Sequence, residues 1–157
     1  MTMSQAKREP TMTAIPMLTR DIGQAERTLR ALLEGQLRRA NLSFPEWVVL
    51  VMLDNAGPLE PDDLVERQLA GRVAPEPEAR AAVETLRGNG LLGEVDGGRR
   101  LAISAAGDAL FGPLAEAVTR LSGELYADLP IDDLEATQRT LNVISHRANE
   151  RLAELSG

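Results

Sequence analysis

The run Leu91-Leu92-Gly93-Glu94-Val95, then Asp96-Gly97-Gly98, then Arg99-Arg100-Leu101-Ala102-Ile103 sets two short strand-forming segments around a Gly turn. That is a hairpin signal. It constrains the fold because the rest of the chain is written in helical periods. From about residue 17 to 40 the apolar positions Leu18, Ile22, Ala25, Leu29, Leu32, Leu33 and Leu37 recur in steps of 3 and 4, which gives one apolar helix face. Ser43-Phe44-Pro45-Glu46 is a helix start: Ser43 caps, Glu46 completes a capping box, and Pro45 fits the first turn. Trp47 to Leu53 is then apolar on all sides, the mark of a buried central helix, and Gly57-Pro58 ends it.

A short helix is expected from Glu60-Pro61-Asp62-Asp63 to Gly71, with acidic residues in the first turn to suit the helix dipole. Ala74-Pro75-Glu76-Pro77 reads as a break, and the next helix as about Glu78 to Asn89, with Ala79, Val83 and Leu86 inward and Gly90 as its stop. After the hairpin Ser104 caps a helix over about 105–127, with Leu110, Leu114, Val118, Leu121 and Leu125 on one face. Pro130 breaks it. A last helix from Asp132 or Asp133 to about Leu155 turns Leu134, Leu141, Ile144, Ala148, Leu152 and Leu155 inward. Residues 1–16 show no periodicity and read as a flexible N-terminal tail. There is no internal repeat.

Composition closes off several function classes. The 157 residues contain no Cys, which removes disulfides, thiolate nucleophiles, Cys zinc sites and thiol redox sensors, and a single His, His146, cannot supply a histidine-rich metal site. The paired acids Asp62-Asp63 and Asp132-Asp133 fall at helix starts, where the dipole accounts for them, and no Gly loop has the strand–loop–helix setting that a nucleotide needs. The expectation is therefore no enzyme, no catalytic residue, no metal and no cofactor. The longest apolar run, seven residues, is far from the roughly 20 that span a bilayer, and MTMSQAKREP has no apolar core of a secretory signal. The chain reads as soluble and cytoplasmic, with no membrane partner.

Net charge is -7, from 17 basic and 24 acidic groups. It is unevenly spread: +3 over residues 1–41, -2 over 42–58, -3 over 59–103 and -5 over 104–157. An acidic chain is a poor starting point for nucleic-acid binding, because phosphate contacts supply most of that affinity.

Three helices followed by a two-stranded hairpin is nevertheless a winged helix, a helix-turn-helix variant, here over 42–103. The flanking helices at 17–41 and 104–157 carry apolar faces larger than such a unit can cover, so they are read as dimerisation helices. In this order the chain resembles the MarR family of transcriptional regulators. The residues that carry the likeness are Leu42-Ser43-x-x-Glu46-Trp47-x-x-Leu50, Gly57-Pro58-Leu59 ahead of Leu64, Val83-x-x-Leu86-x-x-x-Gly90-Leu91-Leu92, and Ile103-Ser104-x-x-Gly107, where the family usually has Leu-Thr. The likeness spans about residues 18–155.

It implies a mainly α fold of about six helices plus a hairpin wing, in a homodimer whose N- and C-terminal helices form the dimerisation region. It also implies a double-stranded DNA partner, with residues 78–89 in the major groove and 96–100 at the minor groove or backbone. The implied function is a transcriptional regulator, a repressor modulated by a small aromatic or phenolic effector, with Trp47 as one wall of the ligand pocket or, alternatively, simply core. The DNA-contact candidates are Arg99 and Arg100 at the hairpin, since Arg beside a Gly tip suits a minor groove, Arg80 and Arg87, which share a helix face, Thr85 between them, and Arg67 and Arg72 flanking the third helix. For Arg80 and Arg87 the competing reading is salt bridging to Glu76, Glu84 or Glu94. Ala81 falls where the family often has a groove-reading Arg, Glu78 and Glu84 would meet phosphates with like charge, and the wing is compressed. These departures motivate a second reading, a degenerate winged helix acting through protein or ligand contacts.

Overall fold

A computed structural model describes the backbone of residues 14–157 and the side chains of residues 17–157. The element order is α1 (Ala14–Arg39), α2 (Phe44–Ala56), α3 (Pro61–Ala70), α4 (Glu76–Gly88), β1 (Leu92–Val95), β2 (Arg100–Ile103), α5 (Ala105–Tyr126) and α6 (Ile131–Leu155). This is the expected six helices with one antiparallel hairpin, in register Leu92↔Ile103 to Val95↔Arg100.

Three helix starts lie earlier than the sequence suggests: α6 begins at Ile131 instead of Asp132 or Asp133, and the other two take a proline into the first turn. α1 includes Ala14–Pro16, which the sequence assigns to the tail; the remainder of that tail lies outside the described residues. α4 begins at Glu76 and takes Pro77 into its first turn instead of breaking before Glu78. The first N–H groups of a helix have no intrahelical acceptor, so a proline there costs no hydrogen bond and its φ is already helical. Pro113 lies inside α5 without ending it.

The chain divides into two compact units, one reaching Val118 and the other Thr119–Gly157. In the first, α2 is central. Ser43 accepts from the Glu46 N–H at 3.3 Å and Glu46 accepts from the Ser43 N–H at 3.1 Å, the capping box foreseen. Val49, Leu50, Leu64, Val83, Leu86 and Leu101 are fully buried around it, with Leu37 from the end of α1. Trp47 is 8% exposed and packs on Phe111 of α5, ring centroids 5.3 Å apart. Leu59, just after α2, exchanges two backbone hydrogen bonds with Leu101 (3.1 and 2.7 Å), so β2 is gripped on both edges.

The second unit is the end of α5, a turn through Asp128 (φ 63°) and α6. Here the inward assignments fail for the single chain. Leu125, Leu141, Ile144, Leu152 and Leu155 are all exposed, and α6 contains no buried residue. The periodicity correctly marks an apolar face, but nothing within the described residues covers it.

Candidate nucleic-acid interface

The helix-turn-helix is α3 and α4. Pro61 starts α3, with Asp62 and Asp63 in its first turn. Along α4, Ala79, Ala82, Val83 and Leu86 are buried, which is steps of 3, 1 and 3 on one face. The opposite face must point to solvent, and Glu78, Arg80, Ala81, Glu84 and Thr85 are all exposed. Between the two helices lies a fully buried Gln68, whose Nε2 donates to the Ala79 carbonyl at 3.0 Å while its Oε1 has no partner. It fixes the start of α4 against α3.

The wing is built by turn chemistry. Asp96, Gly97 and Gly98 all take positive φ (54°, 69° and 88°), a run that Asp tolerates and Gly adopts freely. The Asp96 carboxylate accepts from the Arg100 guanidinium, so the compressed wing does contain an Asp–Arg brace across its turn. Arg99 lies in that turn, one residue before β2, instead of in the strand. The base of the wing is tied down by Ser104, whose hydroxyl donates to the Gly90 carbonyl at 2.6 Å and accepts from the Gly107 N–H at 3.0 Å. Gly107 is tight: a Cβ there would lie 2.2 Å from the Leu91 carbonyl oxygen and 2.7 Å from Ile103 Cγ2.

Electrostatically the candidate arginines fall into two groups. Arg80, in the first half of α4, is held by Glu76 at 3.2 Å and Asp62 at 3.3 Å. Hydrogen bonds that its guanidinium donates to Glu76, and then to Asp62, push its pKa up. Arg87, in the last turn, is held by Glu84 at 3.3 Å and by Glu94 of β1. The foreseen carboxylate partners are all present, and Asp62, eighteen residues from Arg80, is the one the sequence does not reveal. Arg67 and Arg99 are exposed and their guanidinium groups have no partner among the described residues. Arg72 follows α3 in a left-handed backbone conformation, φ 54°. Over residues 76–100 there are five acidic and four basic side chains, so this face carries no net positive charge.

A cavity of about 380 Å³ opens at the junction of α1 and α2, lined by Arg30, Glu34, Arg38, Leu42, Ser43, Phe44, Pro45 and Val73. The Arg30 guanidinium stacks over the Phe44 ring at 4.1 Å. Trp47, one turn further along α2, is not among the lining residues. His146 is exposed beside Glu150 at 3.2 Å. No group of three or more His, Asp or Glu among the described residues could hold a metal ion. No helix among them is long and apolar enough to cross a membrane.

No family model matches the chain, and no curated protein sequence is significantly similar to it. Its fold has clear counterparts. A MarR family protein from Bacillus stearothermophilus superposes with a TM-score of 0.70 at 15% identity, over 90% of this chain and 99% of that one. An organohalide-sensing transcriptional regulator in its ligand-free form superposes with a TM-score of 0.71 at 20% identity, over 93% and 88%. MarR of Staphylococcus aureus, in complex with salicylate and kanamycin, gives 0.71 at 20% identity, over 89% and 95%. The chain therefore has a MarR-like winged-helix fold.

Proposed function

We propose that this chain is a homodimeric, cytoplasmic DNA-binding transcriptional regulator, a repressor released by a small ligand. One observation carries the reading: α4 turns a wholly exposed face outward between α3 and a braced wing whose tip holds the unpaired Arg99. In this reading residues 42–103 form the DNA-binding region, with α4 in the major groove, Thr85 toward the bases, Arg99 and Arg100 at the minor groove or backbone, and Arg67 and Arg72 on phosphates. Residues 17–41 and 104–157 form the dimer. The uncovered apolar residues of α6, with exposed Met17, Leu18, Leu29 and Leu32 of α1, support that assignment.

The effector is a small aromatic or phenolic compound, as the salicylate bound to the S. aureus counterpart suggests by analogy. The cavity beside Phe44, together with Trp47 one turn on, is the proposed region for it. Such a ligand acts by binding more tightly to a dimer whose wings are mis-spaced for adjacent grooves, which shifts the population away from the DNA-competent form.

A second reading, a winged helix that has lost DNA binding, is favoured by the carboxylates around Arg80 and Arg87. A gel shift with the protein's own upstream region, at low and moderate salt, separates the two. The regulator reading expects a specific complex at sub-micromolar protein that the Arg99→Ala plus Arg100→Ala variant loses. No specific complex at micromolar protein under either condition would overturn it.

A further inference from the structure

Each arginine of α4 is held in the same way. One carboxylate comes from its own helix, Glu76 for Arg80 and Glu84 for Arg87. The other comes from a neighbouring element, Asp62 of α3 for Arg80 and Glu94 of β1 for Arg87. Both ends of the outward-facing helix therefore carry a cation already surrounded by two anions. These pairs do little for the fold. All the acids are more than half exposed, with side-chain exposures from 56% to 81%, and exposed pairs of this kind contribute little to stability. The packing of α3, α4 and β1 is already secured by buried Leu64, Val65, Ala79, Val83, Leu86 and Leu92.

What the pairs do control is whether the two guanidinium groups can be used. We infer that Glu94 and Asp62 act as intramolecular stand-ins for DNA phosphate, holding Arg87 and Arg80 out of the interface until a phosphate displaces them. This rests on the DNA-binding reading above and assigns affinity-setting roles to two acids outside the outward face of α4. Of Arg67, Arg80, Arg87, Arg99 and Arg100, only Arg67 and Arg99 have no carboxylate partner among the described residues in the resting state. Oxygen for oxygen, the swap replaces a carboxylate by a phosphate at the same guanidinium, so neither arginine is left unpaired.

The test is a double-mutant cycle read by fluorescence anisotropy on a random-sequence duplex of about three helical turns, over a salt series, with full-length protein. The proteins are wild type, Glu94→Gln, Arg87→Ala and the double variant; Asp62→Asn with Arg80→Ala forms the second cycle. Glu94→Gln is expected to bind about two- to fivefold more tightly, because Arg87 no longer gives up a carboxylate when it takes the phosphate, with the salt slope little changed because that phosphate contact forms in both proteins. In the Arg87→Ala background the same substitution is expected to change nothing. Equal tightening in both backgrounds would mean general charge repulsion and would overturn the inference, as would no tightening in either, while leaving the DNA-binding reading intact. If no protein of the set binds duplex at low salt, the DNA-binding reading itself falls, and the inference with it.

Discussion

A methyl group at position 107 has nowhere to go. The space where it would stand is occupied by the Leu91 carbonyl oxygen and the Ile103 Cγ2, both inside 3 Å, and the first of these belongs to the backbone at the base of the wing. Gly107→Ala must therefore push α5 away from the α4–β1 turn, which also strains the Ser104 hydrogen bonds to Gly90 and Gly107. Overpacking of this kind costs about 1–3 kcal/mol. Urea unfolding should show a lower midpoint with an unchanged slope. At this scale the sequence is legible where the interaction is short-range. Ser43 and Glu46 announce their mutual caps because the two are three residues apart. Gln68 announces nothing: its importance comes from burial against Ala79, which only the packing of two helices creates.

At the scale of elements, periodicity located every helix and the hairpin. The misplacement at Glu76 comes from reading proline as a breaker where it occupies a first turn, and that at Ala14 from a segment without periodicity, where Pro16 likewise falls in the first turn. The ion pairs divide in the same way. Arg80–Glu76 and Arg87–Glu84 follow from helical spacing, whereas Arg80–Asp62 depends on how α3 crosses α4. Arg87–Glu94 depends on the chain reversing at Gly90.

The wing allows a clean separation of shape from charge. Asp96→Asn keeps a residue that tolerates the left-handed backbone at φ 54° but removes the anion that braces Arg100. It should alter global stability by less than about 1 kcal/mol, in keeping with an exposed pair. It should also speed hydrogen exchange at the amides of residues 99–101 relative to those of α2. Unchanged exchange there would mean that the brace does not order the wing.

For the whole molecule, the decisive feature is α6. Leu141, Ile144, Leu152 and Leu155 keep a helical apolar rhythm yet remain exposed in the single chain. The sequence makes that face visible and cannot say what covers it, since a partner surface leaves no mark in one chain's spacing. A second copy is the occupant that the regulator reading requires, because two winged helices must be held at a fixed separation to meet successive major grooves. The acidic charge of residues 104–157 then belongs to a region away from DNA, and the few arginines of 67–100 carry the contact.

The most direct test of a dimeric DNA reader is selection of bound sequences from a random duplex pool, run with wild type and with an Ile144→Glu plus Leu152→Glu variant. The account predicts that wild type enriches an inverted repeat with half-site centres about one helical turn apart, or a multiple of it. It predicts that the variant, reduced to monomer in sedimentation, loses that enrichment. Enrichment of no sequence by the wild-type protein, or of a site without twofold symmetry that the monomeric variant binds equally well, would contradict it.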